Sequence, residues 1–457
     1  MRGVFDVCDT TGTGIVDHLL LGTQNLQHRG QHHWGLVTAG NGMIWNQDEG
    51  EDLITRLRGE RLAEIKTFVG CMGVGHVSSR DPQPFRCDEV SPGPIVLGMD
   101  GYFTNAAEVR RGFRRRGFGC GIREDVELLA TTIWQKKDIV QGIARAMETF
   151  QGPLAFTLLT PQAIYAGRGV DGGCPMIMAS QNGIFGVGSE SRFTAFDLAW
   201  QNLRDIKPGE VVRISPEGLE TVLQLSGELR YCIFEWIYYA HPNSVIDGVS
   251  VAKVRHLLGG WMAEDDNIDV DLVAPIPDSG NLHAEGYSMV SGLPYRLVYE
   301  PPKYRLRTYT LRIGDRKREK GLKLWPIAEN IRGMRIVLVD DSIRSAITIR
   351  DLIEVLYALG AKEVHVRIAS PASIRYCPYC PPAQAEEEFI ASKKTVEEIR
   401  QHIGATTLRY QSLERVCDAI VPNEEDLPRL KELGTIIPCA KTLCVGCFLK
   451  EGCFMRD

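Results

Sequence analysis

Residues 334–350 read MRIVLVDDSIRSAITIR. Ile336, Val337, Leu338 and Val339 run without a break into Asp340 and Asp341, and after a short polar turn apolar positions recur with a helical period from Ile347 to Leu359. An apolar run without polar alternation predicts a strand buried on both faces, as in a parallel sheet covered by crossover helices. Val364 to Ile368 reads as the next strand, and Val270 to Ile276 is another continuous run that stops just before Asp278. The second half is therefore expected to be α/β with a parallel sheet, where binding sites gather at the carboxyl ends of strands.

Adjacent acids at a strand tip followed by small and hydroxylated residues suit a phosphorylated sugar. Asp340 and Asp341 can accept hydrogen bonds from ribose hydroxyls, while Ser342, Ser345, Thr348 and the backbone N–H groups at the helix start can receive a phosphate. Acids at strand ends also serve simply as helix caps, and this motif alone leaves both readings open. Asp278, Ser279 and Gly280 form a second tight polar loop after a buried strand, which favours the ligand reading. Lys303 to Tyr309, KYRLRTY, is basic and aromatic without clear periodicity, so Lys303 and Arg307 are candidates for a flap over an anionic ligand. A solvated basic loop would read the same way.

The chain has 457 residues, 44% hydrophobic and 24% charged, enough at about 150 residues per domain for two or three domains. A net charge of −6 gives no global basic field, so neither nucleic acid nor an anionic membrane is an expected partner. The first residues, MRGVFDVCDTTG, lack the apolar core of a signal peptide, and no stretch approaches the roughly 18 apolar residues of a membrane span. A cytoplasmic location is expected. Thirteen cysteines is an odd number, which excludes a complete internal disulfide framework. Cys377, Cys380, Cys439, Cys444, Cys447 and Cys453 crowd the C-terminal end, whereas Cys8, Cys71, Cys87, Cys120, Cys174 and Cys417 stand singly and are expected to be small buried hydrophobes.

The first half has a different texture. Short β-rich runs at Gly73–Val77, Pro94–Leu97, Ala155–Leu159, Ile184–Val187 and Val211–Ile214 are separated by Gly, Pro and Asp turns, with amphipathic stretches between them. This predicts a sheet-and-helix domain over residues 1–225 and a second domain over 226–457. The charged segment Glu386–Arg400 reads as a solvated helix.

At these residues the sequence resembles the amidophosphoribosyltransferases, also called glutamine phosphoribosylpyrophosphate amidotransferases, which make phosphoribosylamine in the first step of purine synthesis. The resemblance spans nearly the whole chain and rests on GVF at 3–5, LQHRGQ at 26–31, GHV at 75–77, QPF at 83–85, FEWIYYAHPNSVIDGVSV at 234–251, PDSG at 277–280, VLVDDSI at 337–343 and VEEIRQHIGA at 396–405. It implies an N-terminal class II glutaminase domain, an αββα sandwich of the N-terminal-nucleophile fold, followed by a type I phosphoribosyltransferase domain. It further implies that Ser279, Asp340 and Asp341 bind the sugar diphosphate and its magnesium, and that the protein is a homotetramer. The cysteines resemble those of the family's iron–sulfur branch, whose four ligands to a [4Fe–4S] cluster match Cys232, Cys377, Cys444 and Cys447. Spacing alone fits zinc as well. Cys380 and Cys453 are neighbours that could stand in for a ligand.

The chain departs from the family at the glutaminase site. The family's nucleophile, an N-terminal cysteine directly before GVF, is replaced by Arg2, and a guanidinium offers no nucleophilic lone pair at neutral pH. Cys8, six residues on, lacks the free α-amino group that serves as base. The arginine that follows GHV in the family is Ser78, with Arg80 close by, and the Asn of its NG oxyanion hole is Asp100, before Gly101. Asp125, matching the acid that binds the glutamine amine, remains. In the phosphate loop the family's Val-Arg-Gly-Thr-Thr is Arg344, Ser345, Ala346, Ile347 and Thr348. In the flap, Pro301 and Leu306 stand for Lys and Gly.

These departures predict loss of glutamine hydrolysis and weakened binding of phosphoribosyl pyrophosphate, with transfer of the phosphoribosyl group to ammonia or another amine. The competing expectation is a non-catalytic paralogue, a nucleotide-sensing or partner-binding subunit stabilised by the cluster. Glutamine-dependent catalysis through Cys8 is the third possibility.

Overall fold

The computed structural model describes residues 1–12, 14–40, 43–50, 54–88, 93–117, 122–195, 199–227, 230–301, 324–377, 379, 389–420 and 443–449. Lys303, Leu306, Arg307, Cys120, Cys380, Cys439 and Cys453 lie outside them.

Two antiparallel sheets fill the first half. The seven-stranded sheet runs Gln201–Asp205, Ile177–Gln181, Ile184–Gly188, Arg2–Asp9, Met72–Ser78, His33–Gly40, Met43–Gly50. The six-stranded sheet runs Gly218–Gln224, Glu210–Ser215, Ile164–Arg168, Leu154–Leu159, Ile95–Gly101, Phe85–Cys87. Strands send alternate side chains to opposite faces, and on Arg2–Asp9 this splits the residues between two cores. Val4 and Cys8 pack between the sheets with Val74, Val96 and Ala155, while Phe5 and Val7 meet Leu19 and Leu20 of the outer helix Val16–Asn25. Helices Asp125–Trp134 and Ile139–Thr149 cover the other sheet through Leu128, Leu129, Ile133 and Ile143. The result is the expected αββα sandwich.

The second half holds a four-stranded parallel sheet ordered Leu272–Pro275, Arg335–Asp340, Glu363–Ile368, Thr407–Tyr410. Helices Val251–Glu264 and Asn281–Ser291 lie on one face, and Ile347–Ala358 and Val396–Ile403 pack into the core of the other. The apolar run expected from Val270 becomes a strand only at Leu272, because the Asp271 carboxylate itself accepts the Arg335 N–H at 2.8 Å. The helix expected over Glu386–Arg400 is also shorter. It starts at Val396, where Thr395 caps the Glu398 N–H and Glu398 returns the bond, a reciprocal cap that sets a sharp start.

Of the single cysteines, Cys8, Cys174 and Cys417 are buried, whereas Cys71 and Cys87 are partly exposed, contrary to expectation. Cys87 ends a short strand at the edge of its sheet, where only one neighbour covers it. Among the described residues no helix is long and apolar enough to cross a membrane.

Candidate functional site

Parallel pairing of Pro275 with Val339 brings the two strand ends, and so both polar loops, to one edge of the sheet. Their separation is set by Gly280. A Cβ there would stand 2.4 Å from the Val339 carbonyl and 2.7 Å from that of Ile276, so only glycine lets the first loop turn against the neighbouring strand. Ser279 then reaches across the loops, its Oγ donating to Asp340 Oδ1 at 3.3 Å. The same carboxylate oxygen accepts the Asp341 N–H at 2.9 Å, and Asp341 accepts from Ser342 Oγ at 2.7 Å. Desolvation and the neighbouring Asp341 carboxylate raise Asp340 well above the ordinary carboxylate range. Asp278 is exposed and Ser345 partly so. Two carboxyl groups crowded at a strand-end crevice, one of them disfavoured as an anion when unpaired, are suited to a cation that relieves their repulsion and to sugar hydroxyls.

The loop after Asp341 ends on Ala346, at φ 62° and ψ 0°, a left-handed residue that begins helix Ile347–Ala358. Side chains resist this region, β-branched ones most. Thr348 is exposed and Ile347 keeps 55% of its surface in solvent at the helix start. The Arg344 guanidinium lies 5.1 Å from the centre of the Phe389 ring. Ala346→Val is expected to lower stability by about 1–2 kcal/mol through this strained backbone, whereas Ala346→Gly keeps the loop. Thermal denaturation ordering Gly and Ala together above Val checks it.

The residues expected at the glutaminase site are held in ion pairs and hydrogen bonds. Arg2 is buried; its Nε donates to Asp81 Oδ1 at 2.8 Å and its Nη1 to the Gly101 carbonyl at 2.6 Å. Burial alone would raise Asp81, but the Arg2 guanidinium overrides it and holds the carboxyl below its ordinary value. Ser78, facing Arg2 in the strand register, spends its Oγ on the Asp81 turn, and Arg80 is exposed. Asp100 accepts from Arg29 at 2.8 Å, and Asp125 accepts from Arg110 at 2.6 Å and from the Phe103 N–H at 3.2 Å. Cys8 lies about 20 Å along the strand from Arg2 at the usual rise per residue. Burial pushes its thiol up to about 12, which leaves it inert at neutral pH.

Four cysteines from distant positions approach one another. Cys232 pairs with Cys444 across the two-stranded parallel ribbon Tyr231–Cys232/Leu443–Cys444, and the Cys447 carbonyl accepts the Ile374 N–H at 3.0 Å. The Cys447 thiol is hydrogen-bonded to Cys377, and that bond, burial and the charges of Cys377, Cys232 and Cys444 raise it well above its ordinary value. Among the described residues no group of three or more His, Cys, Asp or Glu side chains is arranged to hold a metal ion. Four thiol side chains are a donor set chemically suited to zinc and to an iron–sulfur cluster alike.

No family model matches the chain. The amidophosphoribosyltransferase of Archaeoglobus fulgidus is 33% identical over 410 residues, covering 87% of this chain and 88% of that one. The Bacillus subtilis amidophosphoribosyltransferase is 31% identical over 420 residues, 89% and 87% of the two chains. The chain belongs to the amidophosphoribosyltransferase family. Among solved structures, the glutamine phosphoribosylpyrophosphate amidotransferase of B. subtilis, complexed with ADP and GMP, matches with a TM-score of 0.88 at 28% identity, covering 98% of this chain and 96% of that one. A likeness of that extent carries the glutaminase-like sandwich and the phosphoribosyltransferase sheet together.

Against this family frame, Asp278, Ser279, Gly280, Asp340, Asp341, Ser342, Ser345 and Thr348 share one sheet edge. Sequence reasoning missed Tyr238, which is 48% exposed. Burial and the charges of Asp341 and Asp340 raise its phenol, placing it beside the acids. It also missed Arg29, Glu190 and Glu235; of the three only Glu235, a charge within the apolar run IFEWI at 233–237, carries a local signal.

Proposed function

We propose that the chain binds phosphoribosyl pyrophosphate with magnesium at the 277–280 and 340–348 loops and transfers the phosphoribosyl group to ammonia or another amine in purine biosynthesis. The observation that carries this reading is the Ser279–Asp340 contact, which joins the two loops at one sheet edge. The loops 277–280 and 340–348 hold the pyrophosphate and the ribose 5′-phosphate respectively. Asp340 and Asp341 accept hydrogen bonds from the ribose and stabilise positive charge as it develops at the anomeric carbon. The amine nitrogen bonds to that carbon as the carbon–oxygen bond to pyrophosphate breaks; pyrophosphate leaves with the electron pair, and the amine gives up a proton. Magnesium, bound through Asp340, Asp341, Ser279 and the substrate's own phosphates, would neutralise the leaving group. Such ions use one or two carboxylates plus phosphate oxygens rather than a preformed protein cage.

In this reading residues 1–225 form an inactive glutaminase domain, because Arg2 occupies the nucleophile's place, and residues 226–457 form the transferase. Cys232, Cys377, Cys444 and Cys447 hold a [4Fe–4S] cluster that ties the C-terminal end to the body. The protein works in the cytoplasm as a homo-oligomer. Lys303 and Arg307 supply positive charge to the phosphates in this reading.

Calorimetric titration of phosphoribosyl pyrophosphate with magnesium tests the site. Asp341→Asn is expected to weaken binding roughly ten- to a hundredfold, the worth of a hydrogen bond to a charged group. Pyrophosphate release with ammonium but not with glutamine accompanies it. Identical heats from Asp341→Asn, or no magnesium-dependent heat at all, would favour a non-catalytic paralogue, to which the strained Ala346 and exposed Ile347 point. Separately, protein purified without oxygen is expected to carry about four irons per chain. Stoichiometric zinc without iron would refute the cluster.

A further inference from the structure

Arg29 is buried, with all of its N–H groups engaged. Nε donates to the Arg2 carbonyl at 3.0 Å, Nη1 to Glu190 at 2.8 Å and Nη2 to Asp100 at 2.8 Å. Both Nη groups also grip Glu235, each at 2.9 Å. Glu235 lies 206 residues away in sequence and opens the π-helical turn Glu235–Tyr239. Such turns are uncommon and recur at functional sites.

The far side of this turn touches the transferase machinery. Arg255, also buried, donates to the Trp236 carbonyl at 2.9 Å and the Ala240 carbonyl at 2.8 Å. His283 lies between two carbonyls, its Nε2 3.3 Å from that of Ile237 and its Nδ1 3.1 Å from that of Arg255. Burial pushes His283 down to about 3, so the ring is neutral and donates to one of them. His283 belongs to the first turn of helix Asn281–Ser291, which Gly280 starts. A continuous chain of buried contacts therefore runs from Arg29 through Glu235, the 235–239 turn and His283 to the loop that carries Asp278 and Ser279.

We infer that Arg29, through Glu235, is a positioning residue for the 277–280 loop. The inference rests on the proposed phosphoribosyl reading for its consequence, not for its geometry. Three carboxylates and the Arg2 carbonyl take every Arg29 donor, so the strut is held entirely by protein groups.

Two measurements on the full-length protein test it. Hydrogen exchange without ligand should show faster exchange of the Gly280 and Ala284 amides, which bond to Ile276 and Gly280, in Arg29→Met and in Glu235→Gln. Arg61→Met, the loss of a surface arginine, should leave those amides unchanged. Magnesium-dependent titration of phosphoribosyl pyrophosphate should then weaken roughly two- to thirtyfold in Arg29→Met, the usual span of coupling through packed networks. The Arg29→Met/Glu235→Gln double variant should weaken no further than Arg29→Met, as residues acting in series do. Unchanged exchange at 280–284 in both single variants would overturn the inference, whatever the titration gives. Absence of binding in the unmodified protein, with faster exchange in the variants, would refute the phosphoribosyl reading and leave the strut standing. Glu235→Gln keeps side-chain size, so it reports even where Arg29→Met fails to fold.

Discussion

Replacing Arg168 by methionine is expected to lower stability by about 3–5 kcal/mol, the usual result of breaking a buried ion pair from one side. Arg168 is fully buried and uses all five donors. Nε bonds the Cys174 carbonyl at 2.9 Å; Nη1 bonds the Ile206 carbonyl at 3.2 Å and Asp247 at 3.0 Å; Nη2 bonds the Gly172 carbonyl and Asp247, both at 2.9 Å. Its guanidinium also lies 5.1 Å from the centre of the Tyr231 ring. Methionine fills part of the volume but leaves the Asp247 carboxylate without its counter-charge and takes the donor from three buried carbonyls. Urea denaturation of the variant beside Asp247→Asn and the double variant measures the coupling. A loss under 1 kcal/mol would show that the pair only replaces equivalent solvation.

The same cluster predicts a pH dependence. Asp205, which accepts the Asp247 N–H at 2.9 Å, is pushed up to about 8 by burial and by the Asp247 charge. Its folded value stands above its unfolded one, so its contribution to stability is fully present below pH ~4 and is lost as the pH rises through about 8. Asp205→Asn should flatten melting temperature against pH over that window. An unchanged slope would assign the dependence to other carboxyl groups.

Arg2→Cys is expected to leave glutamine hydrolysis at background. The new thiol would follow Met1 rather than begin the chain, and even with Met1 removed it would face Asp100, whose carboxylate opposes an oxyanion, and a Ser78 occupied by the Asp81 turn. The substitution should also destabilise the protein by about 1.5–3 kcal/mol, because Asp81 loses a charged hydrogen-bond partner while buried. Glutamate release sensitive to a glutamine-like alkylating agent, from the variant or the unmodified protein, would contradict this. Changing Arg2 alone is expected to be insufficient while Ser78 and Asp100 remain.

Much of the architecture is legible in the one-dimensional pattern. Short uninterrupted apolar runs ending in acids, such as Ile336–Val339, read as strands buried on both faces, since polar alternation is what a solvated face demands. Glycine at 280 before a helix and the Asp340–Asp341 pair at a strand tip mark the crevice, because their chemistry is local. Thr395 and Glu398 likewise carry the helix start at Val396 in their spacing, a signal outweighed by the charge of the longer segment around them.

What only the tertiary structure decided is pairing. Nothing in the sequence distinguishes Arg29 or Arg168 from a surface arginine, and their partners Glu235 and Asp247 lie 206 and 79 residues away. Asp6 gave no warning either: it is wholly buried and raised well above the carboxylate range by desolvation, against which Thr157 is a minor offset. The cause is common to all of them. Hydrophobic periodicity is a property of neighbours along the chain and survives in sequence, whereas the free energy of a charge depends on which atoms surround it and how much water is left, quantities that exist only once distant segments have packed.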